Sequence, residues 1–224
     1  MEQARLWPLV FLGLSRVLAQ TNLDEKVFVF PAASGNAYVL LKPHMPEPLL
    51  QFTACLRFYT DLTRSFALLS CASKSHDNEI LLFKHSPTEY HICVGGNCLS
   101  YKASGNTDQG RHWENICLAW NSTTGIVQLW VDGLALPRKG LSKGYVLKTD
   151  LVMMLGQDQD SYGGSLEEHQ SFVGEMAEVY MWDTVLSQEQ MRRIRKNTMS
   201  ASILDWTALN FEIQGYIVLE PALD

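Results

Sequence analysis

Short hydrophobic segments separated by turn residues run through most of the chain. Segment 52–59 places aromatic and apolar side chains at alternating positions, as a strand with one buried face requires. Further apolar segments lie at 80–83, 126–131, 151–155 and 173–182. Turn signals fall between segments of this kind at Gly95-Gly96, Asp132-Gly133 and Gly163-Gly164. This pattern predicts an all-β fold in which two antiparallel sheets pack as a sandwich.

One segment has the pattern of a helix instead. Ser187 is followed three residues later by Gln190, a capping box that satisfies free N–H groups at a helix start. Arg195 and Lys196 supply positive charge at the other end, which the helix dipole favours. The sequence therefore predicts one short helix after Ser187. Because no repeat or linker is visible, we expect a single domain over residues 20–224.

The N-terminal segment has the pattern of a secretory signal peptide. Arg5 precedes an apolar run at 6–14 that is too short to span a bilayer. Val17 and Ala19 are small enough for the −3 and −1 positions of a cleavage site. The alternative is an N-terminal segment of the core. We predict a signal peptide over residues 1–19 and a secreted, extracellular protein with no membrane span.

Charge and composition exclude several classes of function. The 224 residues include 18 Lys and Arg against 24 Asp and Glu, which gives a formal net charge of −6. Because phosphate neutralisation needs clustered cations, a chain without a basic block carries no specific nucleic-acid signal. Hydrophobic residues make up 46% of the chain and charged residues 19%, so a folded core is expected rather than a disordered chain.

The cysteines are interpreted through secretion, because an oxidising compartment favours disulfides. Their number is five, so at least one thiol is free or pairs between chains. If Gly95-Gly96 forms a two-residue hairpin, Cys93 faces Cys98 with Cα atoms about 4.5 Å apart. That distance permits a cross-strand disulfide. Asn121 begins an Asn-Ser-Thr sequon and predicts N-glycosylation.

A polar segment directly after residues 151–155 concentrates oxygen donors. Asp158 and Asp160 fall on the same side of an extended chain, and a reversal at the following glycine pair lets Glu167 and Gln170 close over the same point. Calcium takes about six to eight oxygen ligands from carboxylates, amides and carbonyls. The segment is therefore a candidate calcium loop; the alternative is a solvated acidic loop.

Two neighbouring patterns bear on this assignment. The spacing is not that of an EF-hand, because the twelfth position counted from Asp158 is His169. A second group, Asp77-Asn78-Glu79, precedes another apolar segment and could complete the calcium shell.

Signals for catalysis are weak. The pattern Gly140-x-Ser142-x-Gly144 matches a nucleophile elbow, but that elbow joins a strand to a helix, and here a β-like segment follows. No pair of carboxylates is spaced as a glycosidase requires. We therefore predict that the protein is not an enzyme.

Taken together, these segments resemble the short pentraxin family over the whole mature chain. The resemblance rests on segments 28–31, 55–60, 77–81, 115–120 and 155–164, on residues 174–175 and 181–183, and on the helix after Ser187. It implies a two-sheet jelly-roll of the lectin and laminin-G type and a homopentameric ring. It also implies a disulfide between Cys55 and Cys117 that joins the two sheets. Cys71 is then the odd thiol, either buried and inert or linked between protomers.

The resemblance further implies a site for two calcium ions per protomer. The implied ligands of the first ion are Asp77, Asn78, Asp158, the backbone carbonyl of Gln159, and Asp160. Those of the second ion are Asp158, Asp160, Glu167 and Gln170. Asp158 stands where the family usually carries the longer Glu.

Ligand choice follows from the same resemblance. The choline pocket of choline-binding members has an apolar wall, to which Phe83 corresponds. Cys93 stands where those members have a threonine of that pocket, and Cys98 stands where they have the glutamate that pairs with the choline cation. The implied function is lectin-like, calcium-dependent pattern recognition in innate immunity, with phosphate-bearing small molecules, polysaccharides or lipid head groups as ligands. The alternative is a pentraxin-like structural or mucosal protein with weakened ligand binding.

Overall fold

Two antiparallel sheets and one short helix form the computed structural model of the protein, which describes residues 21–103, 112–194 and 200–223. The predicted all-β sandwich with one short helix is confirmed. The strands in chain order are β1 (Lys26–Phe30), β2 (Tyr38–Leu41), β3 (Gln51–Tyr59), β4 (Phe66–Ala72), β5 (Ile80–Ser86), β6 (Glu89–Val94), β7 (Asn97–Lys102), β8 (Glu114–Asn121), β9 (Ile126–Val131), β10 (Leu134–Ala135), β11 (Lys139–Gly140), β12 (Val152–Leu155), β13 (Gly174–Trp182), β14 (Phe211–Gln214) and β15 (Val218–Pro221).

The strands form two layers. Sheet 1 has the order β10-β9-β8-β3-β13-β1-β15, with β11 also paired to β9. Sheet 2 has the order β14-β2-β12-β4-β5-β6-β7. Large aromatic side chains such as Phe28, Phe52 and Trp120 are fully buried in the core. Burial of this much apolar surface is the main term that stabilises such a sandwich.

Alternation along the strands gives sheet 2 two distinct faces. Leu69, Leu82 and Ile92 form one row across β4, β5 and β6 and belong to the main core. Because successive side chains of a strand point to opposite faces, their neighbours point away from the core. That outer face carries the rows Met154–Ser70–Leu81–Cys93–Cys98 and Ala67–Phe83–His91–Ser100.

The helix α1 spans Gln188–Ile194. Its start has the predicted capping box: the Ser187 N–H donates to Gln190 Oε1 (2.8 Å), and the Gln190 N–H donates to Ser187 Oγ (3.3 Å). Two further residues assigned to the helix, Arg195 and Lys196, lie outside the described residues.

Two disulfides are present among the described residues. Cys55 is joined to Cys117, which is the pairing that the family resemblance implies, but the expectation that this bond joins the two sheets is wrong. Cys55 on β3 lies directly opposite Cys117 on β8, so both belong to sheet 1. Cys93 is joined to Cys98 across the β6–β7 hairpin. Cys71 is free and fully buried on the core side of β4, and burial raises the pKa of its thiol.

The predicted signal peptide lies outside the described residues. Within the described part of the chain, no helix is long and apolar enough to cross a membrane.

Candidate calcium site and ligand pocket

The candidate calcium loop folds back over the outer face of sheet 2 after β12 ends. Gln159 anchors it there: its backbone N–H donates to Ser70 Oγ (3.1 Å), and its side-chain amide donates to the Ser70 and Val152 carbonyls (3.0 Å each). The oxygen of the same amide accepts from the Gly163 N–H (3.1 Å). Because both ends of the Gln159 side-chain amide make hydrogen bonds, its backbone carbonyl is the atom expected to serve as a ligand.

Asp77 and Asn78 form the turn that leads into β5. The Asp77 carboxylate accepts from the Asn78 N–H (2.8 Å), and the Asn78 carbonyl accepts from the Gly96 N–H (3.0 Å) in the β6–β7 hairpin. This turn is therefore fixed to the hairpin that carries the Cys93–Cys98 disulfide.

Glu79, the third residue of the group before β5, makes buried contacts within the protein. Its side chain is fully buried, where it accepts hydrogen bonds from Tyr145 Oη (2.8 Å) and Ser73 Oγ (3.0 Å) and lies 3.4 Å from His76 Nδ1. These contacts engage both oxygens of its carboxylate in a buried network with Tyr145, Ser73 and His76. Glu79 therefore stabilises the turn from its buried side.

Glu167 directly precedes a single 3-10 turn, Glu168–Gln170, and Gln170 is the last residue of that turn. The Arg64 guanidinium fixes the end of this turn by donating to the carbonyls of His169 (3.1 Å) and Ser171 (2.7 Å). Glu167 is exposed and lies 3.3 Å from His169 Nε2.

Four carboxylates of these segments interact electrostatically. Burial, together with repulsion from Asp160, Asp77 and Glu167, raises the pKa of Asp158 to about 7. Burial and the charges of Glu167 and Asp77 also raise the pKa of Asp160. Within the described residues, no three of these side chains place ligand oxygens within 4.8 Å of one another. Binding of one ion by three of them would therefore require side-chain rotation.

Unpaired oxygens offer a test of whether these residues fit a cation. Among the described residues, four buried side-chain oxygens have no hydrogen-bond partner, and they belong to Asn78, Gln157, Asp158 and Gln170. Three of the four were assigned as calcium ligands. Buried polar atoms are nearly always paired, so such a cluster needs a physical cause. The donor set of carboxylate and amide oxygens is the one that calcium prefers, so the residues fit this ion.

A cavity of about 320 Å³ adjoins these oxygens on the outer face of sheet 2. Its walls bring together Asn78, Asp158 and Gln170 of the candidate calcium site with Phe83 and Cys93 of the predicted ligand pocket. Ala67, Leu81, Phe83 and Cys93 form a small apolar cluster separate from the main core. Cys98 is exposed and bonded to Cys93 at the edge of this wall.

Sequence reasoning missed the polar end of the cavity. Four polar residues, His85, Glu89, His91 and Ser100, also line it. His91 lies opposite Ser100, with its Nδ1 3.3 Å from Ser100 Oγ, while burial and the neighbouring His85 lower the pKa of His91. The sequence pattern could have placed two of these residues in the pocket. His91 and Glu89 stand two and four residues before Cys93 on one strand, so they share its face.

Asn121 of the sequon ends β8. Its Nδ2 donates to Gln51 Oε1 (3.0 Å), and its Oδ1 accepts from the Thr124 N–H (3.2 Å). Glycosylation at this position remains a prediction.

The fold and the outer-face site define a lectin-like jelly-roll domain. Comparison with known proteins identifies its family. The sequence profile described as "Pentaxin family" matches residues 26–221. Serum amyloid P-component of Rattus norvegicus is 42% identical over all of this chain and 97% of its own length. C-reactive protein of Sus scrofa is also 42% identical, over all of this chain and 99% of its own.

A solved structure shows the same fold. The heptameric SAP-like pentraxin from Limulus polyphemus matches with a TM-score of 0.81 at 19% sequence identity, covering 90% of this chain and 97% of the other. The chain belongs to the pentraxin family.

Proposed function

We propose that the protein is a secreted pattern-recognition pentraxin that binds phosphate-bearing or acidic-sugar ligands through two calcium ions per protomer. The observation that carries the proposal is the cluster of buried, unpaired oxygens of Asn78, Asp158 and Gln170 around one cavity. Orphaned oxygens of this kind are unfavourable without a donor or a cation.

The residues have distinct roles in this proposal. Asp77, Asn78, Asp158, the Gln159 carbonyl and Asp160 hold the first ion, and Asp158, Asp160, Glu167 and Gln170 hold the second. Calcium, when bound, supplies positive charge that anionic oxygens of a ligand can coordinate directly. Phe83 and Leu81 then present an apolar wall beside the coordinated group.

The serine that the sequence offered as a candidate nucleophile has a structural role, which favours recognition over catalysis. Ser142, from the Gly-x-Ser-x-Gly pattern, donates its hydroxyl to the Val94 carbonyl (2.7 Å) and accepts from Asn97 Nδ2 (3.1 Å). Its hydroxyl therefore supports the hairpin, and the residues that follow it form a turn and not a helix.

The proposal includes cleavage after residue 19, secretion, and assembly of five copies in a ring. The signal-peptide pattern and the two disulfides support secretion. The Limulus pentraxin named above is heptameric, which supports an oligomer, and analytical ultracentrifugation of the secreted protein tests its size. Five times the mass of the processed chain is the expected result.

Two adjacent glutamates allow a matched test of the calcium assignment. Both glutamates are exposed. Glu167 is assigned as a calcium ligand, whereas Glu168 interacts electrostatically with Arg64. The wild type, Glu167→Gln and Glu168→Gln are applied to phosphocholine, phosphoethanolamine and agarose resins, with calcium and with a chelator.

Wild type and Glu168→Gln should bind a resin in calcium and elute with the chelator. Glu167→Gln should need about tenfold more calcium, because the number of ligand charges sets calcium affinity. Equal calcium requirements for the two variants would refute the ligand assignment. No calcium-dependent capture of the wild type, with no fluorescence change in a calcium titration, would instead favour a structural protein with weakened ligand binding.

A further inference from the structure

The β6–β7 hairpin gathers a second set of metal-ligating side chains, separate from the calcium oxygens. Cys93 lies directly opposite Cys98, and His91 stands two residues before Cys93 on the same face. One ligand atom from each of the three side chains lies within 4.8 Å of the other two. Among the described residues, this is the set of His, Cys, Asp and Glu side chains that meets that distance.

The two cysteine residues of this disulfide differ in exposure to solvent. Cys93 is fully buried in the cavity wall, whereas Cys98 is exposed. A small reductant can therefore reach the bond from the Cys98 side. By contrast, Cys55 and Cys117 are at most 4% exposed within sheet 1. Disulfide exchange requires access to a sulfur atom, so the hairpin bond should be reduced first.

Reduction would convert the hairpin into a soft-metal site. Two thiolates and one imidazole are three of the four ligands of a tetrahedral zinc ion, with the fourth position left for water or a ligand group. The hairpin is held by its own strand pairing and by hydrogen bonds from Gly95 and Gly96 to the Glu79 and Asn78 carbonyls (2.9 and 3.0 Å). Its backbone therefore keeps the two sulfurs opposite each other after the bond is broken.

We propose that the Cys93–Cys98 disulfide is a redox-controlled zinc site, which binds Zn²⁺ through Cys93, Cys98 and His91 once a low-molecular-weight thiol has reduced it. Two thiol molecules give the protein two cysteine thiols and are themselves oxidised to one disulfide. Zinc binding then displaces one proton from each cysteine thiol. The bound ion faces the cavity lined by His85 and Ser100, and the site does not depend on calcium.

The test uses the full secreted chain in saturating calcium, treated with a phosphine reductant and then kept under nitrogen. Differential alkylation with mass spectrometry reports which cysteines were reduced. Cadmium is the probe, because its thiolate complexes absorb in the ultraviolet, and zinc competition gives the affinity for zinc. Four variants are compared with the wild type: Cys98→Ser, His91→Gln, His85→Gln and Cys71→Ala.

Alkylation should label Cys93 and Cys98 but not Cys55 or Cys117, and the reduced wild type should bind one cadmium ion with a thiolate band. We expect His91→Gln to weaken binding about tenfold, and Cys98→Ser to abolish the two-thiolate band, since each removes a ligand. His85→Gln and Cys71→Ala should match the wild type; Cys71 points into the core on the other face of sheet 2.

Three results would overturn the proposal. One is a 93–98 disulfide that resists reduction until the protein unfolds. Another is a folded, reduced wild type without a thiolate band. The third is a band that persists unchanged in Cys98→Ser. Because calcium-dependent resin capture is measured separately, failure of the zinc site leaves the proposed calcium function intact.

Discussion

At the scale of single residues, Asp158 is the most perturbed carboxyl of the candidate site. It is 6% exposed and has three carboxylate neighbours, so its charged form is disfavoured until a cation binds. The ordinary pKa of the group is 3.8, and in the folded chain it is about 7. At a pH between these two pKa values, Asp158 is therefore protonated in the folded protein and ionised in the unfolded chain.

This shift predicts the pH dependence of stability in the presence of a chelator. A raised pKa in the folded state stabilises at low pH, and the contribution is lost as pH rises from about 4 towards 7. The free energy of unfolding should fall by up to about 1.4 kcal/mol per pH unit in this window. Urea unfolding at several pH values measures the slope.

Two comparisons check the assignment to this one group. Asp158→Asn stays neutral and should flatten the slope. Saturating calcium should do the same by holding the carboxylate in its charged form. An equally steep slope in Asp158→Asn would place the titration on another group.

At the scale of elements, we expect the β6–β7 hairpin to determine ligand choice. The family resemblance implies that Cys98 replaces a carboxylate of choline-binding pentraxins, and in the structure Cys98 is instead bonded to Cys93. The cavity does have a carboxylate, Glu89, but it lies four residues from Cys93 along β6. At about 3.3 Å per residue this is about 13 Å from Cys93, so Glu89 does not take the place that Cys98 occupies.

The hairpin therefore predicts little preference for phosphocholine over phosphoethanolamine. The missing ion pair is worth about 0–1 kcal/mol in a partly exposed site. A competition assay on calcium-loaded protein should give the two compounds similar potency. The variant Cys93→Thr/Cys98→Glu should gain up to about fivefold for phosphocholine. A tenfold preference for phosphocholine in the wild type would contradict this account of the pocket.

The two disulfides should contribute unequally to stability. Cys55–Cys117 spans 62 residues and Cys93–Cys98 spans 5. Chain-entropy arguments give about 4 kcal/mol for the first and about 2 kcal/mol for the second. We expect Cys55→Ala/Cys117→Ala to lower the free energy of unfolding more than Cys93→Ala/Cys98→Ala, as measured in urea. The reverse order would show that local packing, and not loop closure, dominates.

At the scale of the whole molecule, calcium should stabilise the fold. A ligand that binds only the folded state adds about 2.7 kcal/mol at one hundred times its Kd, or roughly 5–10 °C in Tm for a domain of this size. Asp160 is assigned to both ions, so Asp160→Asn should need much more calcium for the same shift. Asp150→Asn is the control, because this exposed carboxylate pairs with Lys74 and Tyr162 instead. A wild-type Tm that stays constant across a calcium series would argue against the site.

Local patterns in the sequence were enough for much of the architecture. The strand at 126–131 and the capping box at Ser187 were predicted from neighbouring residues alone, because alternation and end capping depend on a few adjacent positions. The same holds for the Cys93–Cys98 pair, whose register is set by a two-residue turn. Local concentrations of oxygen donors at 158–170 and 77–79 predicted a calcium site, and the family resemblance then assigned individual ligands to two ions.

Only the tertiary structure decided which distant residues share a surface. It placed Cys117 beside Cys55 within one sheet, turned Glu79 inward towards Tyr145, and brought His91 into the same cavity as Asp158. These arrangements follow from strand order and from a loop that folds back over sheet 2. Both are set by packing between segments far apart in sequence, for which no short-range pattern carries a signal.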